Sequence, residues 1–408
     1  MTDRAGRAPI PLHTKIFIGL LLGGVLGVWC NLQWPDNPRL LWVVDNVAQP
    51  GGQIFLRMLF MVVVPLVFTS VSLGVASLGD LRRIGRVGAK TLLFFVATTT
   101  VAVVVGLTFV NLIHPGGSLD PTIRQELLAQ YASQAGEKVA ASQTNAFGIN
   151  TFVNVIPKNP VQAAATGDML GLIFFSLVFG ISLTLLSEER RDPVLKVLQG
   201  IGDAVMVMIG FAMKLAPLGV TCLLFAVTAR FGLGLLRSLG LYVVTVLLAL
   251  CVHQFLVIGG LARGLLGIRP VSFFRRSWAL MVTGFSTSSS NATLPTTIRT
   301  AEENFGVPPE VAGFVLPLGA TMNMNGTALF EGMTVLFLAQ VFGLALPLGT
   351  QVVVVVMAVI TAIGVAGVPS GSIPLLVMVL GMVGVPGEGI ALILGVDRLL
   401  DMSRTVPN

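Results

Sequence analysis

The feature that most constrains this chain is a series of long, nearly uncharged apolar runs near residues 15–34, 52–78, 89–113, 165–187, 199–228 and 237–266. A helix that crosses a bilayer needs about 20 apolar residues. A soluble core does not need runs of this length repeated along the chain. The runs therefore predict an all-α, multi-pass membrane protein. A membrane β-barrel would show short segments of alternating hydropathy instead, and those are absent.

Charge placement supports this and gives an orientation. Only 11% of the 408 residues are Asp, Glu, Lys or Arg, against about 25% in soluble domains. The net charge of +6 does not describe a nucleic-acid surface, because the basic residues cluster in "DLRRIGRVGAK", "SEERRDPVLK" and "RGLLGIRPVSFFRRS", short segments between apolar runs. That is the pattern of cytoplasmic loops. If each run crosses once, the loops at 82–90, 190–196 and 263–276 share one side with Arg4, Arg7 and Lys15, which puts the N-terminus in the cytoplasm. The first apolar run, 16–32, is long for a signal core and lacks a small-residue cleavage site, so it is read as the first span. Cys30, Cys222 and Cys251 lie in apolar segments and read as buried hydrophobes. The scattered His13, His114 and His253 suggest no metal cluster. The polar stretch 114–150 reads as an external loop.

Past residue 270 the pattern changes. "GFSTSSSNATLPTT" (284–297) and "GVAGVPSGSIPLL" (364–376) each sit between apolar stretches too short to cross twice. Irregular backbone at membrane depth is tolerated only where protein or a watery cavity satisfies it. Two such segments, each followed by a span, predict a pair of re-entrant hairpins in inverted repeats, with a transporter site near the midplane. The serine run 286–290 reads as a hairpin tip whose hydroxyls meet a substrate. No His or Lys lies near those serines in sequence, so hydrolase chemistry has no support. "GVAGVPSG" lacks the Gly-Lys-Ser/Thr ending of a phosphate loop.

The polar residues of the C-terminal part concentrate in few places. Asp397, Asp401, Arg404 and Asn408 are spaced 4, 3 and 4 apart and share one helix face, with Thr405 beside it. Asp401 and Arg404 could simply pair with each other. Beside two broken hairpins, they better fit a substrate: the planar Arg fork suits a carboxylate and the Asp accepts an ammonium, as for a zwitterion with an extra acid group. "GATMNMNGTALFEGM" (319–333) interrupts a helical run with Asn323 and Asn325, whose side chains and freed carbonyls could coordinate a cation, or which could be satisfied amides in a kinked helix. Glu331, further along, reads as a protonatable group in the bundle or a snorkelling residue.

With these motifs in hand, the chain resembles the dicarboxylate/amino acid:cation symporter family. The likeness runs from "MLFMVVVPLVFTSV" and "GRVGAKTLLFF" through "IPKNPVQAAATGDMLGLIFFSLVFGI" to "STSSSNATLP", "NMNGTALFE", "AGVPSGS" and "DMSRT". It implies eight transmembrane helices plus two re-entrant helical hairpins, in an elevator-type transporter of the bacterial-type inner membrane assembled as a homotrimer. Residues 1–266 would supply the trimerisation scaffold and part of the transport domain, and 267–408 the transport-domain core, with the hairpin around 350–384 as gate. No cofactor is implied beyond co-transported protons or sodium.

Carried over by residue, Arg404 matches the arginine that binds the substrate side-chain carboxylate and Asp401 the aspartate that takes its amino group. Thr327, Thr405, Asn408, Ser290 and Val368 match further substrate contacts. Gly319, Asn323 and Asn408 match one sodium site; Thr98, Thr99 and Asn323 match another; Thr321 with the backbone around Ala362, Ile363 and Val365 matches a third. Glu331 matches a glutamate linked to proton coupling. The resemblance thus implies a symporter of glutamate or aspartate. A C4-dicarboxylate symporter is the alternative, against which Asp401 would stand unpaired. A substrate-gated anion channel is the alternative of another class, but here the charge is concentrated in one helix instead of recurring along several spans.

The chain departs from the family pattern in four places. Asn325 replaces the aspartate of "NMDGT", which should weaken a cation site by a charge. Phe95 stands for a tyrosine, and Val365 for a threonine. Family members continue with "VTGD" after the final Asn. A helix ending at Asn408 would leave carbonyls unsatisfied in the bilayer, so a longer natural chain is expected.

Overall fold

The computed structural model describes residues 12–35, 37–84, 86–117, 119, 156–166, 169–365, 367 and 371–408. Among them every regular element is helical. The polar stretch 114–150 lies almost wholly outside the described residues.

The first half is built of long helices. Helix α1 is Leu12–Gln33. The second span starts with α2 (Pro38–Val43) and continues through a π-turn, Val44–Ala48, into α3 (Gln49–Phe60) and α4 (Val63–Ile84). The step between α3 and α4 falls at Met61, four residues before Pro65, whose ring displaces the carbonyl at that position and supplies no N–H to it. Next come α5 (Arg86–Ile113), α6 (Pro160–Thr166), α7 (Met169–Thr184), α8 (Glu188–Phe231) and α9 (Leu233–Cys251), the last continuing through a second π-turn, Val252–Ile258, into α10 (Gly259–Leu266). Among the described residues, five segments are long and apolar enough to cross a membrane: Thr14–Gln33, Pro38–Ala76, Gly88–Ile113, Glu188–Phe231 and Leu236–Leu266.

Within the run 165–187, α6 ends at Thr166 and α7 covers Met169–Thr184, with residues 167–168 outside the described set. One expectation needs correction here. The charged stretch 190–196 is not a loop. It forms early turns of the 44-residue helix α8, where Glu188 and Glu189 lie in the first turn and favour the positive end of the helix dipole.

The second half consists of broken helices. After α11 (Pro270–Arg276), helices α12 (Trp278–Thr287) and α13 (Ser290–Phe305) meet at Ser288–Ser289. Ser288 adopts a left-handed conformation (φ 50°), and the Ser289 side chain caps α13 by accepting from the Ala292 N–H. Helices α14 (Pro309–Met322) and α15 (Asn325–Val341) are separated by Asn323 and Met324. Helix α16 (Leu348–Gly364) turns back as α17 (Ile373–Met382), and α18 (Ala391–Thr405) ends the order. The two hairpins expected at 284–297 and 364–376 are thus present, with the serine run at the tip of one and Gly367, Gly371 and Ser372 between the two helices of the other.

Helix α15 is the centre of the core. All its residues except Gln340 are buried, and it packs on α5, α9, α16, α17 and α18. A helix that is apolar all round belongs there. On the periphery, α1 lies against α8 along Gly19, Gly23 and Gly27. A Cβ at these positions would come within 2.6, 2.5 and 2.8 Å of the carbonyls of Pro217, Thr221 and Phe225. Small residues four apart let helix backbones touch where apolar burial supplies no drive for association.

The two hairpin tips also meet. The Gly367 carbonyl accepts from the Ser289 hydroxyl (2.6 Å) and from the Asn291 N–H (3.1 Å). A Cβ on Gly367 would sit 2.8 Å from Asn291 Oδ1 and 3.1 Å from the Ala320 carbonyl.

Two outcomes are expected. Gly27→Leu forces α1 off α8 and destabilises the protein by about 1–3 kcal/mol, read as a lower melting temperature in detergent; an unchanged melt contradicts the close packing. Gly367→Val holds the tips apart. In a background without native cysteines, a cysteine replacing the buried Ser372 should then react faster with a water-soluble thiol reagent. Equal rates with and without Gly367→Val would show that the tip contact does not seal the interior.

Candidate functional site

The three helix breaks and the end of α18 converge on one small, nearly closed chamber. Every described residue expected to touch a substrate lines it: Ser290, Thr327, Asp401, Arg404, Thr405 and Asn408. Val368 lies outside the described residues; its neighbours Gly367 and Gly371 line the chamber.

Arg404 is only 1% exposed, one of the largest fully buried side chains. Its Nε and Nη2 donate to Asp401 Oδ1 at 3.1 and 2.6 Å. Its Nη1 lies 3.5 Å from Asp397 Oδ1, an ion-pair distance, and its guanidinium stacks 4.2 Å from the centre of the Phe330 ring. A buried guanidinium needs this kind of compensation: carboxylates for the charge and an aromatic face for the plane. The compensation is incomplete. Nη1 makes no hydrogen bond among the described residues, and neither do the buried hydroxyls of Ser288 and Ser372, which line the same chamber. Each such group costs about 1–3 kcal/mol of desolvation. Unsatisfied donors gathered around one space are what an anionic ligand would satisfy.

Asn408 and Thr405 also act within the protein. Asn408 Oδ1 accepts from the N–H groups of Gly326 (2.9 Å) and Thr327 (3.2 Å), and its Nδ2 donates to Thr327 Oγ1 (3.0 Å). It is the N-terminal cap of α15, supplied from 82 residues away, where the break at Asn323–Met324 leaves the amides open. Thr405 Oγ1 donates to the Asp401 carbonyl at 2.7 Å.

The expected cation ligands fall into two groups. Thr98 and Thr99 of α5 face the break before α15. The Thr99 hydroxyl donates to Asn325 Oδ1 at 2.8 Å, with both residues buried, and Thr98 Oγ1 lies 3.3 Å from Asn323 Oδ1. The Thr98 hydroxyl also lies 2.8 Å from the Phe94 carbonyl. One proton cannot serve both, so two oxygen atoms face each other there. The Gly319 carbonyl accepts from the Asn323 N–H at 2.9 Å. In the third set, helix α14, which carries Thr321, packs on helix α16, which carries Ala362 and Ile363. Thr321 is exposed and its hydroxyl donates to the Leu318 carbonyl at 3.0 Å. No hydrogen bond among the described residues joins it to Ala362, Ile363 or Val365.

Glu331 is fully buried on α15. Its Oε2 accepts from the Thr361 hydroxyl of α16 at 2.6 Å, and its Oε1 has no hydrogen-bond partner among the described residues. Its burial places it inside the bundle and not at a snorkelling position.

Sequence reasoning missed Ser288 and Ser372 as individual residues. Both belong to motifs it singled out, yet only the φ of 50° at Ser288 and the return of the chain at the second tip turn these hydroxyls inward. It also placed no role on Arg398, whose Nη1 lies 3.4 Å from Asp401 Oδ2.

Comparison with known proteins agrees with this geometry. Residues 12–408 match the family described as "Sodium:dicarboxylate symporter family". The proton/sodium-glutamate symport protein of Geobacillus stearothermophilus is 36% identical over 400 residues, 98% of this chain and 91% of that protein. The proton/glutamate-aspartate symporter of Escherichia coli K12 is 35% identical over 97% of this chain and 89% of its own length. A C4-dicarboxylate transport protein of Bacillus subtilis 168 is 31% identical over 97% and 91%. On this likeness along nearly its whole length, the chain belongs to the sodium:dicarboxylate symporter family, whose members are transporters and not enzymes.

Proposed function

We propose that this protein is a secondary active symporter of the acidic amino acids glutamate and aspartate, driven mainly by protons. The observation that carries the reading is the buried Asp401–Arg404 pair, set beside unsatisfied donors in one chamber. An acidic amino acid brings two carboxylates and one ammonium. Its ammonium can replace Arg404 at Asp401, which frees the guanidinium fork for the side-chain carboxylate. The second carboxylate then meets the hydroxyls of Ser288, Ser290 and Ser372, with Thr327 and Thr405 on the wall. The exchange keeps Asp401 and Arg404 each paired, and the remaining negative charge rests on the hydroxyl donors and on the co-transported cation.

The cation reading rests on Asn325 and Glu331. The Asn325 oxygen is already taken by the Thr99 hydroxyl and carries no full charge, so a sodium ion finds a weaker ligand there. Glu331 presents a buried carboxyl with one bare oxygen, the kind of group that carries a proton across a membrane. In this reading, residues 267–408 move as the core of a transport domain against a scaffold drawn from 1–266, the contact between the two tips closes the chamber, and three chains assemble as a homotrimer. The protein lies in the bacterial inner membrane with its N-terminus in the cytoplasm, as the basic segments suggest.

Uptake of labelled glutamate and aspartate into proteoliposomes tests this. Accumulation is expected on an inward proton gradient without sodium. An absolute requirement for sodium would refute the coupling assignment, and uptake of neither amino acid under either gradient would refute the substrate assignment. Glu331→Gln keeps an oxygen for Thr361 but cannot release a proton. It is expected to abolish proton-driven accumulation while preserving exchange of internal for external substrate; accumulation at the wild-type level would remove Glu331 from the coupling role.

A further inference from the structure

The last helix carries a second arginine that the substrate reading does not use. Asp401 is held at both oxygens: Arg404 takes Oδ1 through two bonds, and Arg398 reaches Oδ2 through Nη1 at 3.4 Å. The two arginines differ in how they are held. Arg404 has 2% of its side chain exposed and is fastened by Asp397, Asp401 and Phe330. Arg398 has 18% exposed, its one ion-pair contact is long, and its buried Nε has no hydrogen-bond partner among the described residues. Of the two, Arg398 is the cation that can leave Asp401 at small cost.

We propose that Arg398 is a counter-ion and positioning residue for Asp401 that sets how far the carrier discriminates amino acids from amino-free dicarboxylates. The inference rests on the substrate site described above. An ammonium that takes Arg404's place at Asp401 meets a carboxylate already partly neutralised by Arg398 on Oδ2, so Arg398 weakens amino-acid binding. A C4-dicarboxylate brings no ammonium, and when it draws Arg404 away it removes the two bonds that Arg404 makes to Asp401 Oδ1. Arg398, staying on Oδ2, offsets that loss. The objection that a dicarboxylate would strand Asp401 therefore loses force in this chain, because the neutralising cation lies one helical turn away.

The test is competition in proteoliposomes holding the full chain, with labelled aspartate as substrate and succinate as the amino-free probe. Succinate is expected to inhibit wild-type uptake competitively. In Arg398→Gln the inhibition constant for succinate should rise while the KM for aspartate falls or stays, so that their ratio increases roughly tenfold, the scale of one lost charge pair. Arg398→Lys should restore the wild-type ratio in part. Should the Gln chain fail to assemble, Arg398→Met serves as the second charge-removing variant. A structural defect would shift both constants in the same direction. Equal shifts, an unchanged ratio, or no inhibition of the wild type by succinate would each overturn the proposal. Wild-type protein that takes up neither aspartate nor glutamate would instead overturn the symporter reading itself, which separates the two failures.

Discussion

A backbone that breaks its helices at membrane depth must find new partners for the amides and carbonyls it frees. In this protein the breaks are each other's partners. The amides opened before α15 are taken by Asn408, beyond the end of α18. The carbonyl of Gly367 at one hairpin tip takes the Ser289 hydroxyl and the Asn291 N–H of the other. Ser289 also caps the helix it precedes. None of these irregular segments could lie in a bilayer alone. Brought together around one chamber they become affordable, and the chamber inherits the polar groups left over.

The charges follow the same logic. A guanidinium buried as deeply as Arg404 is tolerable because two carboxylates on its own helix and an aromatic face surround it. That solution is provisional by construction: Arg404 holds Asp401 tightly and Asp397 loosely, and one of its nitrogens has no hydrogen bond. A site that is electrically closed yet not fully satisfied can trade an internal ion pair for contacts with a ligand that carries charges of both signs. Glu331 stands apart from this exchange, tied to Thr361 of the second hairpin, so its state can bear on the hairpin that covers the site.

Much of this was legible in the sequence. The lengths of the apolar runs define the membrane class, and the 4, 3, 4 spacing from Asp397 to Asn408 puts the charged stripe on one face of α18. Elsewhere the pattern was ambiguous. Charged residues in 190–196 read as a loop, yet they extend α8, since solvent-exposed turns tolerate charge and the acidic residues suit the helix start. Asn408 looked like a ligand; it is also a cap for a helix far away in sequence, a role no local pattern reveals.

By itself, then, the sequence determined that the chain lives in a membrane, where its helices break, and which charges share a face, because hydropathy, turn chemistry and helical periodicity are local properties. Only the tertiary structure decided which oxygen faces which nitrogen: that Arg404 and Arg398 take opposite sides of Asp401, that Ser288 and Ser372 turn toward the same chamber, and that Thr99 occupies the oxygen of Asn325. These pairings join residues up to 226 positions apart. Apart from the two pairs within α18, they depend on the close approach of helices whose packing no single segment encodes.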